Sequence, residues 1–344
     1  MQNNIVSEVL DYEMVHWNED DLFIAHKANK ITYIKNGNKK VINCPTDSLG
    51  WKKLFMPFRK ARRALRIDKI MIVPNSNGFV AVRNSRIYIY NAETEEWSES
   101  ETKLNCRNPM YNAILNVEGN LYIGEYGKPN GIGKRILMSV DDGHTWTCVH
   151  QFAPDEIRHI HALLWDKFEK KIWIFTGDFN PEPQVYKADR DFKNFERVGG
   201  GTQEWRSCHA IFSEKYVDWM MDCPLEEVHH IRLDRESGEI SVGQSFAGPV
   251  WFANQYGNIT LAASAQEVGP SHKDKKLHLY ESVDLVNWKE ISTFEHDGLP
   301  KGLFRFGVMT TIRGSIPMFS CEGVKCYDGK TICICTANIS NNEC

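Results

Sequence analysis

Ser139-Val-Asp141-Asp-Gly143-His-Thr145-Trp146 is the stretch on which the fold is read. It describes a tight turn between two strands. Asp141 can accept backbone N–H groups within the turn, Gly143 can take a positive φ, and Trp146 can pack between sheets. Looser echoes stand at Ala188-Asp189-Arg-Asp191-Phe-Lys-Asn194-Phe195 and Ser282-Val-Asp284-Leu-Val-Asn287-Trp288. A turn followed by an aromatic strand thus recurs at Trp97, Trp146, Phe195 and Trp288. The first two intervals are 49 residues each and the third is 93, close to two repeats with Ile240 between them. Similar strand ends fall near Ile42 and Ile332. The period predicts about seven units of four strands, the spacing of propeller blades, with six as the alternative because the end units are degenerate.

The rest of the chain agrees with an all-β reading. Helical periodicity is nearly absent, and short apolar or alternating runs are separated by Gly, Asn and Asp turns. Gly78-Phe-Val-Ala-Val-Arg83 followed by Arg86-Ile-Tyr-Ile-Tyr90 is one such pair. No linker divides the chain, so residues 1–344 read as a single β-propeller domain. The 344 residues carry 41 Lys+Arg against 45 Asp+Glu, a net charge of −4. That balance excludes a bulk polyanion binder, and no nucleic-acid partner is expected. Hydrophobic residues at 42% and charged residues at 25% exclude a largely disordered chain. The longest uncharged run, Ile240 to Gln266, contains three Gly, two Asn, three Gln and a Pro, so no membrane span is expected. The N-terminal residues show no export signal. Ten Cys lack the spacing of a disulfide framework and read as reduced thiols, which gives a cytoplasmic expectation.

Residues Ser139, Asp141, Gly143, Thr145 and Trp146 match the Asp-box pattern Ser-x-Asp-x-Gly-x-Thr-Trp throughout. On those residues the chain resembles the sialidase-like, Asp-box (BNR-repeat) propellers. The resemblance implies a propeller in which the box is an outer turn. It implies little about chemistry, since one fold hosts many activities.

In a propeller blade the start of strand 1 and the end of strand 2 lie at the same end of the ring. Entries to strand 1 carry Arg107, Arg158, Arg206 and Arg305. Ends of strand 2 carry Glu125, Asp178, Asp222, Glu267 and Glu322. Guanidinium forks bind carboxylates in bidentate fashion, so these cations point to an anionic ligand, most simply an acidic sugar. Tyr111, Trp205 and Asp222 join the substrate-binding candidates. The competing reading pairs these Arg and acid residues with each other between blades. Glu156-Ile-Arg158-His159-Ile-His161 places His159 and His161 on one strand face. His209 follows one blade later. Glu156, His159, His161 and His209 form a candidate set for Mn, Zn or Fe. The spacing is similar to the Gln-x-x-His-x-His metal site of oligogalacturonate lyases, with Glu156 in place of Gln. Without a metal, His159 or His161 can act as acid or base. Tyr126 beside Glu125 invites comparison with the Tyr–Glu pair of sialidases, yet strand neighbours face opposite ways. The segment 52–69 holds eight basic residues and one acid, and reads as a solvated excursion or a lid at the ring mouth.

The expectation is a carbohydrate-active enzyme that cleaves a glycosidic bond in a uronic- or sialic-acid-containing glycan. Glu125, His159, His161 and Asp178 are the catalytic candidates. The leading class is a sialidase-like glycoside hydrolase. A metal-assisted lyase and a non-catalytic glycan- or protein-binding propeller are the alternatives. An acidic oligosaccharide is the expected partner, with either no cofactor or a divalent metal (Mn, Zn or Ca).

Overall fold

The computed structural model describes residues 5–19, 21–127 and 131–338. Seven four-stranded antiparallel sheets are arranged as the blades of a β-propeller. Blades 1 to 6 are consecutive in sequence, over residues 14–43, 71–103, 114–151, 159–200, 211–245 and 250–295. Blade 7 takes three strands from residues 308–334 and its outer strand from Val6–Leu10. That outer strand pairs antiparallel with Lys330–Ile334, Val6 opposite Ile334 and Leu10 opposite Thr331. The ring is thereby closed by hydrogen bonds between the two ends of the chain. The single-domain expectation extended over residues 1–4 and 339–344, which lie outside the described residues.

Each blade buries both faces because each has a neighbour on either side. Between blades 4 and 5, Trp173 and Phe175 meet Trp219, all within 1% of full burial. The Phe175 and Trp219 rings sit edge to face with centroids 5.7 Å apart, the arrangement the aromatic quadrupole favours.

The outer turn of blade 3 is built as its residues dictate. Asp141 accepts the Thr145 N–H at 2.9 Å, the Thr145 hydroxyl at 2.7 Å and the Ser139 hydroxyl at 2.8 Å. The Trp146 Nε1–H donates to the Gly143 carbonyl at 2.8 Å. Gly143 has φ 97°, and a Cβ there would meet Val80 of blade 2 at 2.5 Å. Asp284 repeats the device in blade 6 with the Asn287 N–H at 2.8 Å. These bonds hold the Asp141 carboxyl below its ordinary range against the opposing pull of burial. Asp141→Ala is expected to destabilise the fold by about 1 kcal/mol. A carboxyl depressed on folding supports stability above its unfolded pKa and loses that support on acidification. The difference between variant and wild type should therefore narrow as pH falls through the carboxylate range in thermal melts.

The central channel is plugged. The Tyr111 ring lies against Phe252 of blade 6 with centroids 6.0 Å apart, and its hydroxyl donates to the His16 carbonyl of blade 1 at 3.2 Å. Asn112 donates to the Cys208 carbonyl of blade 5, and Arg313 of blade 7 donates to the Ile114 carbonyl of blade 3. The end of the ring carrying strand-1 starts and strand-2 ends, here the bowl, is therefore closed at the axis by these side chains.

The basic segment forms a lid over part of that bowl. It contains a 3-10 stretch, Asp47–Phe55, and an α-helix, Arg59–Leu65. The helix was not expected from periodicity, but Arg-Lys-Ala-Arg-Arg-Ala-Leu is rich in helix formers. Its arginines are not solvated. Arg59 pairs with Glu13, Asp68 and Asp328, Arg62 pairs with Glu13, and Arg63 pairs with Asp297 and Asp328. The helix packs against a single helical turn, Lys301–Phe304, which leads into blade 7.

Candidate active site

Blades 3 to 6 bring a dense polar group to one side of the bowl. His159 and His161 begin the first strand of blade 4, His159–Asp166, and Asp178 follows its second strand, Lys171–Gly177. The His159 Nε2–H donates to Asp178 Oδ2 at 2.9 Å, and its Nδ1 accepts the Gly127 N–H at 3.2 Å. The His161 Nε2–H donates to Asp178 Oδ1 at 3.1 Å. Arg206, entering blade 5, lies 3.3 Å from Asp178 Oδ1 and 3.6 Å from Asp222 Oδ2. The Cys208 thiol donates to Asp222 Oδ2 at 3.2 Å. Tyr126 stacks on His159 with ring centroids 3.9 Å apart. Glu267, from the end of strand 2 in blade 6, completes the group beside Asp222, Arg206 and Trp251.

Burial and charge set the protonation states. Burial lowers His159 and keeps it neutral at pH 7, against the pull of Asp178. Burial also works to raise Asp178, but the bonds from His159 and His161 and the Arg206 charge outweigh it and hold the carboxyl ionised. Burial first, and then the Asp222 charge, lift Glu267 to about 8, so it carries a proton at neutral pH. Burial keeps Tyr126 and Cys208 protonated. Two carboxyl groups at one site whose environments drive them apart are the pattern of an acid and its ionised partner.

Three arginines complete the site from the lid side. Arg66 follows the lid helix at φ 57°, Arg305 follows the Lys301–Phe304 turn at φ 69°, and Arg107 precedes blade 3. Arg305 and Arg107 both act to lower Arg66, after burial, and Arg305 does the same to Arg107. Arg305 also acts on Tyr126, which joins this group to the His–Asp cluster. Arg107 donates to Asn84 Oδ1 at 3.1 Å and to the Leu65 carbonyl. Arg66, Arg107 and Arg305 make no ion pair among the described residues. Asp68 acts on Arg66 and Arg107 only from a distance, so mutually repelling guanidiniums with no paired carboxylate offer a site for an anion.

Of the residues singled out in the sequence, His159, His161, Asp178, Arg206, Asp222 and Glu267 meet, with Arg107 and Arg305 at the lid side. The others lie elsewhere, Glu322 in an ion pair with Lys69. Glu125 is fully buried on the opposite side of its strand from Tyr126 and accepts the Asn105 and Arg135 N–H groups and the Arg135 guanidinium, tying blade 2 to blade 3. Tyr111 plugs the channel. Trp205 packs on Trp219 with centroids 5.7 Å apart, within a blade interface. Arg158 lies over the Phe179 ring and 3.4 Å from Glu182, at the rim. The metal set expected from Glu156, His159, His161 and His209 is not assembled. Glu156 is exposed and accepts the Ala153 N–H of its own turn at 2.7 Å. His209 accepts the Met220 N–H at 3.3 Å, and burial lowers it to about 3.

Cys208, Tyr126, Trp251 and Arg66 were not singled out as site residues. Cys208 was legible in principle by position: it stands two residues after Arg206, in the short run that leads into blade 5. Arg66 was hidden among eight basic residues, and only the helix that ends before it aims it at the bowl.

No family model and no curated protein matches this chain. Solved structures share its fold. The chain is similar to a structure from a study of two prolyl endopeptidases, with 11% identity and TM-score 0.53, covering 92% of this chain and 46% of that one. It is similar also to the extracellular domain of a one-component system from B. thetaiotaomicron, with 12% identity and TM-score 0.53, covering 96% of this chain and 39% of that one. The chain therefore spans less than half the length of either neighbour, and at these identities the likeness is one of fold alone.

Proposed function

We propose that the bowl binds an acidic oligosaccharide and hydrolyses a glycosidic bond close to its carboxylate. The observation that carries this reading is the group Arg66, Arg107 and Arg305, none of them in an ion pair among the described residues, on the same end of the ring as protonated Glu267 and ionised Asp178. The arginines hold the substrate carboxylate. Glu267 gives its proton to the leaving glycosidic oxygen, and the Asp222 side of the cluster directs a water. Arg206, with His159 and His161, keeps Asp178 ionised, and Asp178 orients the two imidazoles.

Hydrolysis is favoured over elimination at His159 because that imidazole is occupied. Both nitrogens of His159 are hydrogen-bonded, which leaves it a poor acceptor for a carbon-bound proton. A sialidase-type Tyr–Glu nucleophile is not favoured, because Glu125 and Tyr126 project to opposite sides of their strand. Incubation with uronic- and sialic-acid oligosaccharides tests the reading. A new reducing end without ultraviolet absorption supports hydrolysis, an unsaturated absorbing product selects a lyase, and binding without turnover selects a glycan-binding propeller.

Arg305→Ala is expected to raise KM for an acidic oligosaccharide roughly tenfold or more, the worth of a charge-assisted bond. It should leave kcat nearly unchanged and have no effect on a neutral analogue. Steady-state kinetics on matched charged and uncharged substrates check it.

A further inference from the structure

The side of the cluster facing away from Asp178 is chemically incomplete. In the neutral imidazole, the bond from the His161 Nε2–H to Asp178 Oδ1 leaves Nδ1 with a bare lone pair. Nδ1 has no hydrogen-bond partner and faces Asp222 Oδ2 at 3.6 Å, so two electron-rich atoms confront each other. Asp222 Oδ1 is likewise buried and unpartnered. The His161 and Asp222 side chains are only 3% and 4% exposed, and Cys208 is 1% exposed. A ring nitrogen of His161, the Cys208 Sγ and an Asp222 oxygen all lie within 4.8 Å of one another, and Nδ1 is the nitrogen on the Asp222 side. Something positive belongs between them, and Arg206 reaches Asp222 only from beyond, through Nε at 3.6 Å.

We infer that His161 Nδ1, Cys208 Sγ and the Asp222 carboxylate form a zinc site. One nitrogen, one sulfur and one oxygen donor suit a borderline-soft divalent ion, and the thiolate disfavours Ca and Mg. Three protein ligands leave a fourth position open for a water or a substrate oxygen, the arrangement of catalytic rather than structural zinc. Asp178 is a positioning residue here. It receives the imidazole proton opposite the metal-binding nitrogen and so raises the basicity of that nitrogen. This set shares only His161 with the one expected from the acid-x-x-His-x-His spacing. Binding displaces the thiol proton to solvent as the Zn–S bond forms, so affinity rises with pH. The inference does not depend on the saccharide reading, because its readout is metal binding itself.

Chelator-treated full-length protein, titrated with zinc in a competing chelator and assayed by elemental analysis, should retain one zinc per chain. Binding should release a proton, seen as a calorimetric heat that changes with the buffer's ionisation enthalpy. Cobalt in place of zinc should give a thiolate-to-metal charge-transfer band. Cys208→Ser should abolish that band, and His161→Ala and Asp222→Asn should abolish stoichiometric binding. Asp178→Asn should weaken zinc about 10- to 100-fold without removing a ligand. Circular dichroism identifies any variant that fails to fold, and for those the wild-type cobalt band carries the test. Cys148 and Cys326 are exposed and able to hold metal adventitiously. A Cys148→Ser, Cys326→Ser double variant should keep the full stoichiometry. Absence of stoichiometric zinc in the wild type, a band that survives Cys208→Ser, or loss of binding in the double variant would overturn the assignment. A protein that binds zinc but cleaves no saccharide would retain this site and remove the hydrolase reading.

Discussion

Replacing Glu267 with glutamine is expected to abolish glycosidic cleavage while leaving saccharide binding in place. Glutamine keeps the volume and one hydrogen-bond donor but has no proton to transfer. A positioned general acid contributes about 10²- to 10⁴-fold, so kcat should fall by that factor. The substrate affinity measured by calorimetry should change little, since Arg66, Arg107 and Arg305 are untouched. Folding should survive, because the Glu267 carboxyl is already neutral at pH 7 and its Oε1 is buried without a partner. A variant with unchanged kcat would place the proton donor elsewhere in the bowl.

The largest loss of stability is expected from Arg63→Ala in the lid helix. The Arg63 side chain is 0% exposed, lies 2.6 Å from Asp297 Oδ2 and 3.3 Å from Asp328 Oδ2, and donates to the Phe304 carbonyl at 2.9 Å. Its removal strands the Asp297 carboxylate in a partly desolvated position and leaves Asp328 to Arg59 alone, which costs about 3–5 kcal/mol. The charge-neutralising triple variant, with Asp297→Asn and Asp328→Asn added, should recover much of that loss. Lys60→Ala, on the exposed side of the same helix, should change stability by no more than about 0.5 kcal/mol. Thermal melts of the four proteins decide it. Arg63→Ala should also weaken acidic-saccharide binding, because Arg66 ends the helix it anchors and Arg305 follows the turn it holds. Unchanged stability would mean that the lid is pinned by Arg59 and Arg62 alone.

The fold was legible because its information is local and repeated. Each blade needs turns at fixed intervals and apolar strands between them, and the box around Asp141 states one such turn almost completely. Strand alternation also reached the level of faces, separating Tyr126 from Glu125. The site was legible only by position. Asp178, His159, His161, Arg206 and Asp222 were found by asking which strand ends share one end of the ring. That rule says where a residue starts, not where its side chain goes. Glu125 obeys the rule, yet turns outward to satisfy the N–H groups of Asn105 and Arg135. Tyr111 obeys it too, and fills the axis because the channel needed an apolar plug. The lid arginines failed for a different reason. Their partners, Glu13, Asp297 and Asp328, come from distant parts of the chain, and no local pattern announces such a match.

Pairing Val6–Leu10 with Lys330–Ile334 has a consequence for synthesis on the ribosome. Val6–Leu10 is synthesised before blades 1 to 6 and must wait for its partner strand. During that interval blade 7 lacks a partner edge, and the nascent chain exposes unpaired backbone able to join another chain. Contacts of such long sequence separation also slow the final step of folding. A chain interrupted before Lys330 would thus be released as an open, adhesive ring.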